Sequence, residues 1–134
     1  MNRDDMRNRT KKFALRVIRL SAALPIGREA DVLGRQVLKS ATSIGANYRE
    51  AQRASLRRHF TTILETALRE ADETDYWLEL LSEADLVKPT RLRPLMAECK
   101  ELIKILSATV RTTKKTAPRE STRQAKSQIP NPKS

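Results

Sequence analysis

Cysteine occurs once in this chain, at Cys99, histidine once, at His59, and glycine three times. A lone cysteine excludes a disulfide framework within one copy and fits a reducing compartment, so the expected location is cytoplasmic. Phe, Tyr and Trp together number five in 134 residues, although apolar residues make up 39%. Any core must therefore be built from Leu, Ile, Val and Ala. So few turn-forming glycines and aromatic clusters argue against a sheet protein. No apolar run approaches the roughly 20 residues of a membrane span. Met1 to Lys12 lacks the apolar stretch of a signal peptide.

Catalytic constellations are also missing. A di-iron bundle needs Glu-x-x-His on two helices, which a single histidine cannot supply. Gly27, Gly34 and Gly45 are too far apart for a phosphate-cradling loop. Cys99 lies on an apolar helical stripe and reads as a buried small hydrophobe. The acid pairs Glu70 and Glu73, and Asp72 and Asp75, read as a solvated or salt-bridged face rather than a metal site. The expectation is a protein with no enzymatic activity, cofactor or metal.

Positive charge is abundant. The net charge is +11 and the pI about 10.4. Charge of that size favours polyanions, meaning nucleic acid or an anionic membrane surface. It does not come from the C-terminus alone. From Lys115 onward there are five basic residues and one acid, so residues 1–114 themselves carry +7.

Apolar residues recur at three- and four-residue spacings over four segments, the signature of amphipathic helices. The first runs from about Asp5 to Leu24, with Phe13, Val17, Leu20 and Leu24 on one stripe that Ala14 and Ile18 widen. Pro25 and Gly27 end it. The second runs from about Arg28 to Arg53, with Ala30, Leu33, Val37, Ala41, Ile44, Tyr48 and Ala51. Gly34 and Gly45 interrupt it at up to about 1 kcal/mol each, which close approach of another helix would explain. The third runs from about Leu56 to Ala84, with Ser55 as N-cap. Phe60, Ile63, Leu64, Ala67, Ala71, Thr74, Leu78 and Leu81 hold one face. Leu68, Trp77 and Leu80 fall towards another side, so this helix is expected to have two sets of neighbours. After a turn at Leu86 to Thr90, the fourth carries Leu95, Met96, Cys99, Leu102, Ile103, Leu106 and Val110. Pro94 is expected in its first turn, and Pro118 is expected to stop it. The spacing thus predicts an all-α, antiparallel up-and-down four-helix bundle over residues 1–115 and a disordered basic tail over 116–134.

Charge is segregated along the chain. Residues 3–19 hold seven bases and two acids, whereas residues 65–85 hold eight acids against Arg69 alone. The acidic third helix can pair with the basic first helix of the same bundle or of another copy. Either way, the junction of helices two and three leaves Arg49, Arg53, Arg57, Arg58 and His59 as free positive charge, and these are the candidate nucleic-acid-binding residues. Beside the apolar stripe of helix two, Ser40, Ser43, Asn47 and Glu50 form a polar row. It reads as an interhelical seam in which Asn47 and Glu50 bond to helix three.

Two blocks, Ser40-Ala-Thr-Ser-Ile-Gly-Ala-Asn-Tyr-Arg-Glu-Ala51 and Ala67-Leu-Arg-Glu-Ala-Asp-Glu-Thr-Asp-Tyr-Trp-Leu-Glu-Leu-Leu81, resemble the signature of the four-helix bundle proteins. These are also called 23S ribosomal RNA intervening-sequence proteins. Leu24-Pro25, Ser55 and Phe60 fit as well, and the likeness runs from about Phe13 to Thr113. The resemblance implies a four-helix bundle assembled into a homopentameric ring. It also implies a link to intervening sequences of ribosomal RNA genes. A related branch is similar to the accessory protein of diversity-generating retroelements, which works with a reverse transcriptase and nucleic acid. Ser43, Gly45, Asn47 and Glu50 of helix two, and Glu70, Glu73 and Tyr76 of helix three, would be structural signature positions. The functional expectation is an oligomeric scaffold that binds RNA or DNA mainly through phosphates. The alternative is a protein-interaction module, such as the partner of a reverse transcriptase.

Overall fold

A computed structural model describes the backbone of residues 3–128 and the side-chain environments of residues 4–115. Within them the chain forms four helices and no strand: α1 Arg3–Ala22, α2 Arg28–Gln52, α3 Arg57–Glu83 and α4 Pro89–Gln128. Each packs against its neighbour in sequence, and α4 closes the square against α1. The short connections make neighbours antiparallel. α1 and α3 stand at opposite corners and do not touch, and neither do α2 and α4.

The core is the aliphatic one that the composition requires. Phe13 and Val17 of α1, Val37 and Ile44 of α2, Leu64 and Leu78 of α3, and Leu102 and Leu106 of α4 are all at most 1% exposed. Burying each such side chain contributes about 1.5–3 kcal/mol. Small residues set how closely the helices approach. On its α1 side, α2 places Gly45 where a methyl group would come within 3.0 Å of Thr10 Oγ1 and 3.2 Å of Thr10 Cβ. A methyl on Gly34 would come within 2.9 Å of Leu24 Cδ1. Gly45 therefore permits the close approach of α1 that its place in the stripe suggests, whereas at Gly34 a methyl would meet only the end of the flexible Leu24 side chain, which can move aside. Between α2 and α3 the seam is made by Ser40 and Thr74, whose hydroxyls lie 2.8 Å apart in the buried interface. Asn47 does not cross to α3. Its Nδ2 donates to the Ser43 carbonyl of its own helix (2.9 Å), and Glu50 is exposed.

Helix ends differ from expectation at three points. α3 is capped by Leu56, not Ser55. Leu56 sits in extended backbone and makes no side-chain cap bond. Pro89, not Pro94, takes the first turn of α4, where a missing N–H costs nothing. Pro94 then falls beyond that turn and withholds a donor from Thr90, which is exposed, so solvent can serve its carbonyl. The backbone of α4 continues through Pro118 to Gln128. A proline removes one ladder bond and crowds the preceding turn, yet a helix can pass through it with a kink. The expectation of disorder for residues 129–134 lies outside the described residues. At the other end of α3, Asp85 adopts a left-handed φ of 60°. There the Leu86 N–H reaches back to the Leu81 carbonyl (3.1 Å) and the Asp85 N–H to that of Ser82 (3.1 Å), closing the helix as glycine usually does.

The Gly45 contact generates a test. Gly45→Val should lower stability by about 1–3 kcal/mol through overpacking against Thr10. Thr10→Ala in the same chain should restore part of that stability. Urea denaturation at fixed protein concentration reads both.

Candidate nucleic-acid interface

The bundle end where α2 passes into α3 is built by a short connection, residues 53–56, between two arginine-bearing helix termini. Arg53, Arg57 and His59 are exposed, and Arg49 and Arg58 are half-buried. No ion pair holds Arg49, Arg53 or Arg58 among the described residues. The first turn of α3 contains no acid and its cap residue offers no side-chain acceptor. The partial positive charge of a helix start therefore adds to that of the arginines.

An open groove of about 500 Å³ runs between the two helices at this end. Glu50, Arg53, Ala54, Ser55, His59, Thr62 and Ile63 line it. Arg53 and His59 thus meet at one place, whereas Arg49, Arg57 and Arg58 stand around it. Glu50, read as a seam residue from its spacing, belongs to this groove instead.

Other bases come to the same end, and linear reading misses them because they are distant in sequence. Arg7 of α1 lies with Nη1 3.4 Å from Gln52 Oε1. From α4, Lys114 pairs with Glu65 of α3 at 2.6 Å, about two turns from the start of α3, and Arg111 and Lys115 are exposed on the same stretch of α4. Antiparallel connectivity makes this legible in retrospect: the start of α1 must lie beside the end of α2.

Elsewhere some of the charges have defined partners. Arg9 forms a two-point bond with Glu98 of α4, Nε to Oε2 at 2.7 Å and Nη2 to Oε1 at 2.9 Å. That hydrogen bond raises the Arg9 pKa above its usual value, against the cost of burial. Lys100 pairs with Asp75 at 3.2 Å. On the outward side of α3, Asp72, Glu73, Glu79 and Glu83 are exposed without ion pairs among the described residues. α1 and α3 are diagonal, so the acids of α3 do not neutralise α1 within one copy.

The signature positions serve different purposes. Gly45 admits α1. Ser43 and Asn47 bond within α2, Ser43 Oγ donating to the Lys39 carbonyl at 2.8 Å. Glu70 is half-buried. Desolvation, then repulsion from the neighbouring Glu73, pushes its carboxyl above the usual range. Tyr76 is 52% exposed, its ring 5.1 Å from that of Trp77. The extra apolar stripe expected on α3 is mostly absorbed, since Leu68 and Trp77 pack against the core. Exposed apolar residues instead concentrate on α1, at Leu15 (39%) and Ile18 (42%), with Ile26 and Val32 beyond it. Ile18 therefore does not widen the core stripe. No group of three or more His, Cys, Asp or Glu residues could hold a metal among the described residues, and no helix there is long and apolar enough to cross a membrane.

These features define a class: a basic four-helix bundle with an arginine-bearing helix junction at one end. The chain belongs to the 23S rRNA-intervening sequence protein family, whose sequence pattern matches residues 3–108. It is similar in structure to a protein of unknown function from the S23 ribosomal protein family of Bacteroides thetaiotaomicron VPI-5482. The two share 36% identity with a TM-score of 0.73, over 78% of this chain and 96% of that one. No curated protein matches the chain.

Cys99 offers a check on the core. Its Sγ lies 3.4 Å from the Ala71 carbonyl, and burial pushes its pKa up to about 12 from 9.0. A neutral buried thiol is a poor nucleophile. In the native protein Cys99 should resist a thiol-reactive disulfide reagent at pH 8 and react only after unfolding. Above pH 9 the unfolded thiol loses its proton while the folded one keeps it. Stability should therefore fall between pH 9 and 12, and less steeply in Cys99→Ala.

Proposed function

We propose that this protein is a non-enzymatic, cytoplasmic, oligomeric scaffold that binds structured RNA or DNA through phosphate contacts. The observation that carries this reading is the junction of α2 and α3, where Arg49, Arg53 and Arg58 have no acidic partner among the described residues. Arg57 and His59 stand beside them. Arginine's planar fork suits phosphate oxygens. Contacts of this kind fix position but read little sequence.

Oligomerisation, as a homopentameric ring, is supported by two faces at opposite corners. The outward face of α1 carries Leu15 and Ile18 among the exposed bases Lys11, Lys12 and Arg19. The outward face of α3 carries Tyr76 among exposed acids. The two are complementary and cannot meet within one copy. A head-to-tail contact between copies satisfies both and closes into a ring when the rotation permits. Each copy would then bring its arginine end to the same rim, and binding becomes multivalent.

Two measurements test the proposal. Light scattering at micromolar concentration should give about five times the 15.3 kDa chain mass, and Ile18→Asp should reduce it without loss of helicity. A monomer mass for the wild type would overturn the assembly. In the second, a quadruple Arg→Gln variant at positions 49, 53, 57 and 58 should keep the oligomer mass and bind RNA hairpins and duplex DNA more weakly. Its slope of log K against log salt should be shallower by roughly 0.7–0.9 for each phosphate that the variant no longer neutralises. An intact oligomer that binds both as wild type does would rule out this site.

A further inference from the structure

The groove between α2 and α3 contains more than phosphate binding requires. Arg53 and His59 supply cationic or donor groups, but Glu50 stands with them. It is exposed and no hydrogen bond or ion pair engages its carboxylate among the described residues. A phosphate alone is repelled by that carboxylate, and so is an acidic side chain. The rest of the lining is uncharged: Ala54 and Ile63 supply apolar surface, and Ser55 and Thr62 stand beside them. Neither a phosphate nor an acid uses that apolar surface. At about 500 Å³, the groove falls within the roughly 300–1,000 Å³ of small-ligand clefts.

A ligand matching all three features has an anionic group, a flat apolar face and an edge of N–H donors. An unpaired nucleotide has them. We infer that the groove receives one nucleotide that is out of the helical stack, with its phosphate on Arg53 and His59 and its base edge on Glu50. Arg53, the C-cap of α2, follows Glu50 by one helical turn, as Ile63 follows His59 on α3, so each pair projects from one face. A base entering between them lies against Ile63, while Arg53 and His59 hold its phosphate. Guanine fits best. Its N1–H and N2–H₂ are adjacent donors that match the two oxygens of a carboxylate, whereas uracil presents one N–H flanked by repelling carbonyls. The chain's scarcity of aromatics argues against stacking along a run of bases, but one base needs no such platform. Unpaired bases in bulges and loops are what proteins usually read in structured RNA. This inference rests on the nucleic-acid reading above and adds base recognition to it.

The test uses the full chain and labelled hairpins of one sequence, read by fluorescence anisotropy at fixed salt. All share one guanine-free loop; one has a fully paired stem, one a single guanine bulge in the stem and one a single uracil bulge there, each made in RNA and in DNA. The guanine bulge should bind about tenfold tighter than the paired hairpin, within the discrimination a two-point base contact brings. The uracil bulge should gain less. Glu50→Gln, checked for wild-type helicity and oligomer mass, should bring the guanine-to-paired ratio towards one. The inference is overturned if a guanine bulge gives no gain in either RNA or DNA, or if Glu50→Gln keeps the full preference. It is also overturned if an acidic peptide displaces the bulged hairpin as well as unlabelled hairpin does, which would identify a protein ligand. Equal binding of paired and bulged hairpins removes only the base site and leaves the phosphate reading in place. Failure of every hairpin to bind, even at low salt, removes both.

Discussion

Close packing against α2 is the constraint on which the other helices depend. On one side a methyl group at Gly45 would crowd Thr10 of α1. On the other, Ser40 meets Thr74 in the buried seam with α3. Small residues let backbones approach, and dispersion contacts grow steeply as they do. α4 is held differently. The ion pairs Arg9–Glu98, Lys100–Asp75 and Lys114–Glu65 each join α4 to another helix, the first by a two-point bond to α1. Two helix pairs are thus fixed by shape, and the fourth helix is fastened to the bundle partly by charge.

Much of this architecture is legible in the sequence, because helical period is a local property. The four stripes, the turn after Leu86, the burial of Cys99 and the reason for Gly45 all follow from residues within a turn or two of one another. Ser55 fails as a cap because the first residue with helical geometry is set by where the chain leaves α2, and that placed Leu56 at the cap. The spacing puts Ile18 on the core stripe and Leu68 off it, and the structure reverses both, since such spacings fit the core stripe and its flank alike. What was hidden is the juxtaposition of distant segments. Arg7 reaches the arginine end, beside Gln52, only through topology. Glu50 looks like one more seam residue until Arg53 and His59 are seen around it.

The sequence also leaves open whether the acids of α3 meet the bases of α1 inside one bundle or between bundles. The diagonal placement excludes the first. Charges that cannot be neutralised at home remain available, and the same holds for Leu15 and Ile18, which face away from the core.

The diagonal has one further consequence, and it concerns counting. Where two copies meet through the same patch on each, the assembly stops at two. Two different patches on opposite corners contain no such stop. In the proposed assembly the number of copies would be decided by the angle between the patches, which follows the tilt of α1 against α3 across the bundle. A core substitution that altered that tilt slightly would change no intersubunit contact, yet it would turn a closed ring into one with another number of members, or into a filament that never closes.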